Sequence, residues 1–128
     1  MQSGKGNRNV ANWEAAVPPA AMFLSVITVM ELELGTLLME RRDPAQGAVL
    51  RGWLENRIMP VFADRTLPID AVIARRCASL HVPDPQGERD ALIAATALVH
   101  GMSVATRNVA DFQASGARIV NPWSDLGA

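Results

Sequence analysis

The chain has 128 residues and a formal net charge of −1, from 12 Lys and Arg against 13 Asp and Glu. This length fits one compact domain, and an apolar fraction of 49% is enough to close a hydrophobic core, which argues against two domains and excludes a disordered chain. The near-neutral charge excludes a global attraction to nucleic acid or anionic lipid, so any nucleic-acid contact is expected to be local.

Cysteine use and hydropathy predict a cytoplasmic location. The single Cys77 has no partner for an internal disulfide, and the chain opens with polar residues rather than the apolar stretch of a signal peptide. The longest apolar runs, such as residues 20–30, fall short of the roughly 20 residues that span a bilayer. A protein of the reducing cytoplasm, without a membrane partner, is therefore expected.

The first third of the chain predicts a helix, a strand and a second helix. Residues 1–9 are polar and rich in helix breakers, which is typical of a flexible terminus. Apolar residues at helical spacing predict a short helix over residues 10–17, and the continuous apolar run at residues 20–26 predicts an interior parallel strand. Thr28 and Glu31 match a capping box, which predicts that the next helix opens at Thr28.

Two more helices and a short strand are predicted in the middle of the chain. Asp43 followed by Pro44 is typical of a helix start, and Met59-Pro60 is predicted to end that helix. Residues 66–69 predict a short strand, and Asp70 is the expected N-cap of the helix that follows.

The clearest helix covers Glu88–His100, with Gly101 in the position that commonly ends helices. Short strands are predicted near residues 102–105 and 117–120. Strands that alternate with helices predict an α/β fold, a parallel sheet with helices on both faces, in a single domain over residues 1–128.

Three acidic residues lie where predicted strands lead into helices: Glu31, Asp90 and Asp111. Functional residues of open parallel sheets gather at the carboxyl ends of the strands, so these three are expected to converge. A carboxylate cluster without Lys or His suits Mg²⁺ or Mn²⁺, which prefer oxygen ligands. Such an ion activates water and neutralises the charge of a phosphodiester transition state.

Each acid also has a purely structural explanation. Glu31 is explained by the capping box, Asp90 by the favourable dipole at a helix N-terminus, and Asp111 by capping of a short turn. The metal site is favoured only by the three together. His81 and His100 lie near predicted helix ends, where a structural role is favoured over a catalytic one.

Four segments in combination resemble the PIN-domain ribonucleases, and within them the VapC and FitB-like toxins of bacterial toxin-antitoxin pairs. Residues 23–32 (FLSVITVMEL) resemble the family's strand and the helix with its metal-site glutamate. Residues 90–97 (DALIAATA) resemble the second acidic motif, residues 104–112 (VATRNVADF) the third, and residues 121–123 (NPW) the usual ending. The match covers nearly the whole chain, from about residue 10 onward.

The resemblance implies Mg²⁺-dependent (or Mn²⁺-dependent) hydrolysis of RNA phosphodiester bonds. The implied metal ligands are Glu31, Asp90 and Asp111, and the implied supporting residues are Asn108 and Thr106. Glu33, two positions beyond Glu31 and on another face of the helix, is the second choice for the glutamate ligand. The implied partners are an RNA substrate, a second copy in a homodimer, and a cognate antitoxin laid across apolar helix surfaces near Leu34, Leu38 and Trp53.

The chain departs from the family pattern at its start. The family begins with a buried strand that ends in an Asp-Thr-Asn type motif, and nothing like it precedes residue 10, so the first strand is expected to be missing. Either the native protein carries about 20 more residues, the length of a strand and a short helix, or this is a degenerate PIN domain. The first explanation is favoured.

Two other functions compete with the ribonuclease. A truncated or degenerate PIN domain would bind antitoxin or a full-length copy without cleaving RNA. A phosphoacceptor receiver domain shares the α/β order and the acidic edge, but it needs a lysine late in the chain. Lys5 is the only lysine, so the receiver domain is set aside.

Overall fold

The computed structural model describes residues 17–122. The predicted flexible terminus at residues 1–9, nearly all of the predicted helix at residues 10–17, and Trp123 of the predicted ending lie outside the described residues. No helix within residues 17–122 is both long and apolar enough to cross a membrane. The chain forms two compact units, one of residues 23–68 and one that contains residues 17–22 and 69–122.

The unit of residues 23–68 contains a parallel strand pair and a helical hairpin. Strand β1 (Leu24–Ser25) pairs in parallel with β2 (Thr66–Leu67), and Leu24 lies opposite Thr66. The segments between the two strands are α1 (Val26–Arg42), α2 (Pro44–Trp53), a π-helical segment (Leu54–Ile58) and the short α3 (Met59–Val61). The predicted helix start at Asp43 is confirmed, because the Asp43 carboxylate accepts the N–H of Gln46 at 3.3 Å.

The predicted capping box at Thr28 and Glu31 is wrong. Ser25 is the N-cap of α1, and its hydroxyl oxygen accepts the N–H of Ile27 at 3.0 Å. A serine at the end of β1 therefore starts the helix three residues earlier than Thr28 would. As a result Glu31 lies in the second turn of α1, beyond the reach of any capping bond.

Two other predicted boundaries differ in this part of the chain. Residues 19–21 form a 3₁₀ turn, so the predicted strand over residues 20–26 shrinks to Leu24–Ser25. Pro60 does not end the second helix, because the backbone first widens into the π-helical segment, where the N–H of Met59 donates to the carbonyl of Leu54. A proline, which has no N–H of its own, is accommodated at the start of α3 that follows this wider turn.

Helices α1 and α2 approach each other closely at Gly47. An added Cβ at Gly47 would lie 2.7 Å from the backbone nitrogen of Glu40 and would also collide with its Cα. Gly47 is buried, as is Thr36 on the preceding helix. A residue without a side chain is therefore required where the two helix backbones meet.

The unit that contains residues 69–122 has two helices and a second pair of parallel strands. Its elements after Ile69 are α4 (Ala71–Leu80), α5 (Glu88–His100), β3 (Val104–Ala105), a 3₁₀ segment (Val109–Ser115) and β4 (Ile119–Val120). Strand β3 pairs in parallel with β4, with Val104 opposite Ile119. Both helix ends predicted from the sequence are confirmed: Asp70 accepts the N–H of Ile73 at 2.9 Å, and Gly101 ends α5 with φ +66°.

Small side chains form the core of this unit. Helix α4 packs on α5 through one cluster of buried residues, namely Ile73, Cys77, Ala91 and Ala95. A second cluster joins α5 to the strands and the 3₁₀ segment, and it consists of Ala94, Ala97, Val104, Phe112 and Ala117. Alanines on two sides of α5 allow close packing on both, which fixes the position of the helix whose first turn carries Asp90.

Candidate metal centre

Asp90 occupies the first turn of α5, as the sequence predicts. Its carboxylate turns back toward the helix start, because a Cβ built on Gly87 would lie 3.5 Å from Oδ2 of Asp90. No side chain caps this helix start, since Gly87 is the N-cap. Burial raises the pKa of the Asp90 carboxyl above its ordinary value, and the charge of Asp111 raises this pKa further.

Asp111 is presented by a loop that Thr106 and Asn108 shape. The N–H of Thr106 donates to the carbonyl of Val120 at 2.9 Å, directly after the paired residues of β3 and β4. The Thr106 hydroxyl oxygen accepts the N–H of Asn108 at 3.0 Å, and the carbonyl of Asn108 accepts the N–H of Asp111 at 3.1 Å. These bonds order the backbone from the end of β3 to Asp111, while the Asn108 side chain makes no capping bond.

Asp90, in the first turn of α5, and Asp111, after the end of β3, are near enough for the charge of one to act on the other. Within residues 17–122 neither carboxylate has an ion-pair partner, and the charge of Asp111 adds to the burial that raises the pKa of Asp90. No group of three or more His, Cys, Asp or Glu side chains that could hold a metal ion occurs in this described part of the chain. Two carboxylates are nevertheless a donor set that fits Mg²⁺, which usually binds one or two carboxylates, several waters and substrate phosphate.

Glu31 lies in the other unit, on α1 of residues 23–68. It is half-buried, and it forms no ion pair among the described residues. The capping role that offered a structural explanation for Glu31 is removed by the Ser25 cap. Within the described residues, neither helix capping nor an ion pair accounts for the Glu31 carboxylate.

Glu33, the second choice for the glutamate ligand, is held by Arg51. Both Glu33 carboxylate oxygens accept from the Arg51 guanidinium at 2.9 Å, in a bidentate pair between α1 and α2. Arg51 also binds Glu40 at 3.0 Å and Glu55 at 3.2 Å. Hydrogen bonds from Arg51 lower the pKa of both Glu33 and Glu40, and their carboxylates raise the pKa of Arg51.

The role of Arg51 could not be predicted from the sequence. Its partner Glu33 is 18 positions away, so only the i,i+4 pair with Glu55 was readable from sequence spacing. This group of one guanidinium and three carboxylates explains why Glu33 is a poor ligand candidate. Its carboxylate would have to leave two short charge-assisted hydrogen bonds before it could bind a cation.

Comparison with known proteins identifies the class. The family model of the PIN domain matches residues 4–114, and the chain belongs to the PIN-domain family. The resemblance to VapC and FitB-like toxins noted in the sequence is confirmed, as is the α/β fold.

Two relatives and two solved structures show how close the likeness is. The VapC ribonuclease Y4jK of Sinorhizobium fredii is 37% identical over 122 residues, which are 91% of this chain and 86% of the relative. Toxin FitB of Neisseria gonorrhoeae is 37% identical over 125 residues, which are 93% of this chain and 88% of FitB.

The crystal structure of FitAcB from Neisseria gonorrhoeae matches with a TM-score of 0.83 and 35% identity, over 91% of this chain and 86% of the other. A toxin-antitoxin complex from Klebsiella pneumoniae matches with a TM-score of 0.64 and 27% identity, over 94% of this chain and 88% of the other.

Proposed function

We propose that this chain is a Mg²⁺-dependent or Mn²⁺-dependent endoribonuclease, and that it acts in the cytoplasm as a toxin neutralised by a cognate antitoxin. The observation that carries the proposal is the pair Asp90 and Asp111, whose charges interact and neither of which has an ion-pair partner within residues 17–122. It is supported by membership of the PIN family and by a relative named as a VapC ribonuclease. We propose that both units act as one domain, since one family match spans them.

In this proposal Asp90 and Asp111 hold the cation. When bound, the cation supplies a Lewis acid for the scissile phosphodiester and lowers the pKa of the attacking water. Asp90 contributes a carboxylate whose repulsion by Asp111 a cation would relieve. Glu31 is the third proposed ligand, by resemblance to the family and because no capping bond or described ion pair occupies it.

Thr106 and Asn108 have a supporting role in this proposal. Their backbone bonds keep Asp111 at the end of β3. The amide side chain of Asn108 is exposed and makes no capping bond, so it is available to donate to a phosphate oxygen of the RNA. The substrate would then be oriented by a neutral donor beside the two carboxylates.

The proposed antitoxin surface is an apolar stripe on α1, made of Met30, Leu34, Leu37 and Leu38. These residues recur at helical spacing, and Leu37 and Leu38 are 51% and 60% exposed. An exposed stripe of this kind suits an amphipathic helix or strand of a partner, and Trp53 on α2 is also exposed. We also propose that the chain forms a homodimer, as the family resemblance implies.

The cleavage experiment compares two carboxylate-to-amide variants. Purified Asp90→Asn and Glu33→Gln are assayed with Mg²⁺ on a mixed pool of transfer, ribosomal and messenger RNA. Asp90→Asn is expected to lose at least about a hundredfold in cleavage, because a ligand of the catalytic ion is neutralised. Glu33→Gln is the matched control, since its carboxylate is engaged by Arg51, and we expect activity within about twofold of wild type.

The outcome distinguishes the enzyme from the binding module. Cleavage by Asp90→Asn at the wild-type rate would refute the metal centre. A wild-type chain that cleaves none of these RNAs under Mg²⁺ or Mn²⁺ but binds the antitoxin would favour the alternative, a PIN domain without nuclease activity. Leu34→Asn with Leu38→Asn is expected to weaken antitoxin binding while cleavage is kept, and unchanged binding would refute the stripe as the antitoxin surface.

A further inference from the structure

His81, at the end of α4, joins a buried helix face to the loop before α5. The N–H of Gln86 donates to Nδ1 of His81 at 3.0 Å. The other ring nitrogen, Nε2, lies 3.8 Å from Sγ of Cys77, one helical turn back on α4. Cys77 is 7% exposed and belongs to the core between α4 and α5.

The two contacts define the form of the imidazole. A backbone N–H can only donate, so Nδ1 accepts with its lone pair and the proton of the neutral ring is on Nε2. The Cys77 sulfur, a weak acceptor, is within reach of that N–H. The ring is therefore fixed on one side by the core and hydrogen-bonded on the other side to the loop.

The loop residue that His81 holds stands immediately before the helix of the metal centre. Gln86 precedes Gly87, whose carbonyl accepts the N–H of Ala91 at 2.8 Å and so begins α5. Asp90 lies within this first turn, and no side chain caps it. The bond from Gln86 to His81 is thus a side-chain anchor directly ahead of the turn that carries the Asp90 carboxylate.

We propose that His81 is a positioning residue for Asp90, which it orients by accepting the Gln86 N–H and fixing the start of α5. The inference rests on the proposed function, because it takes Asp90 as a metal ligand. In this role His81 acts through the Gln86 backbone and not by binding the metal or the RNA. Its contribution is to reduce the freedom of the backbone on which a ligand is mounted, the task that outer groups perform in metal sites.

The test uses two amides that reach different ring positions. In His81→Asn the side-chain oxygen falls close to the place of Nδ1 and can still accept the Gln86 N–H, whereas the longer side chain in His81→Gln places its amide near Nε2. Both variants lose the imidazole ring and therefore its packing. The difference between the two variants thus reports the hydrogen bond that the Gln86 N–H donates at the Nδ1 position. Hydrogen exchange of the Gln86 amide, Mn²⁺ affinity by electron paramagnetic resonance and RNA cleavage are measured well below the unfolding temperature.

We expect His81→Asn to keep the slow exchange of the Gln86 amide and to bind Mn²⁺ within about twofold of wild type. His81→Gln is expected to exchange that amide about tenfold faster and to lose roughly three- to tenfold in Mn²⁺ affinity, with a parallel loss of cleavage rate. Equal Mn²⁺ affinity in the two variants would overturn the inference, as would an unprotected Gln86 amide in the wild type.

Asp90→Asn separates this inference from the proposed function. If Asp90→Asn loses Mn²⁺ and cleavage while His81→Gln retains both, the positioning role falls and the metal centre stands. If Asp90→Asn binds Mn²⁺ as the wild type does, Asp90 is no ligand, and both proposals fall together.

Discussion

Replacing Gly47 by alanine is expected to destabilise the hairpin of α1 and α2. The new Cβ would lie 2.7 Å from both the backbone nitrogen and Cγ of Glu40, so the helices must separate by roughly 1 Å to restore an ordinary contact. The obstacle is partly backbone, which a rotamer change cannot remove. Overpacking of this kind costs up to about 3 kcal/mol, and the better helix propensity of alanine offsets about 1 kcal/mol of that cost. We therefore expect the free energy of unfolding to fall by about 2 kcal/mol.

Gly52→Ala is the matched control on the same helix. The nearest atom to a Cβ there is Nδ2 of Asn56 at 3.9 Å, an ordinary contact at the tip of a side chain. This variant is expected to gain about 0.5–1 kcal/mol, since alanine loses less backbone entropy than glycine on entering a helix. Urea unfolding followed by circular dichroism measures both. Equal free energies of unfolding for the two variants would refute the close approach at Gly47.

Three further predictions concern electrostatics and capping. Burial and Asp111 raise the pKa of Asp90 in the folded state, so the stability that the protonated carboxyl contributes is present at acid pH and is lost as pH rises through the raised pKa. Asp90→Asn is therefore expected to raise the unfolding temperature of the metal-free protein near pH 7 but not near pH 3. Arg51→Met is expected to destabilise at neutral pH, with an effect that fades as acid protonates the glutamates whose pKa Arg51 lowers; a pH-independent loss would contradict this. Ser25→Ala is expected to cost about 1 kcal/mol in urea unfolding and Thr28→Ala clearly less, and the reverse order would contradict the observed cap.

Local signals in the sequence are sufficient to predict where helices begin or end in the unit that contains residues 69–122. The aspartate before α4 and the glycine after α5 act within one turn of the helix they delimit, so neither depends on distant parts of the chain. The same holds for Asp43 and Pro44 at the start of α2. These are the boundaries that the sequence predicted correctly.

The wrong helix boundaries lie where two residues could each cap the helix, or where the backbone departs from α-helical hydrogen bonding. Ser25 and Thr28 are both good N-cap residues, and the choice between them depends on where β1 releases the chain, which its pairing with β2 decides. Pro60 predicts the end of a helix, but it follows a π-helical segment and lies at the start of α3, where a proline is tolerated. Neither outcome is visible in a window of a few residues, because each depends on how the surrounding backbone is hydrogen-bonded.

The candidate site was predictable in its residue types, and its electrostatics were not. The order of strands and helices predicts that Asp90 and Asp111 lie at the same edge of the sheet, and the charge of Asp111 contributes to the raised pKa of Asp90. The backbone bonds by which Thr106 leads to Asp111 follow from the loop after β3. The role of His81 was hidden, because its partner is a backbone N–H, which carries no side-chain identity in the sequence.

The choice between Glu31 and Glu33 shows how a distant residue decides a local question. The two glutamates are two positions apart on α1 and so lie on different faces of the helix, and residue type alone does not separate them. Arg51, on the facing helix, binds Glu33 with two hydrogen bonds and adds Glu40 and Glu55 to the same guanidinium. Glu33 is thereby assigned to holding α1 against α2. No described side chain forms an ion pair with Glu31. The glutamate that the PIN family pattern selects as a ligand is therefore also the one that the hairpin leaves unpaired among the described residues.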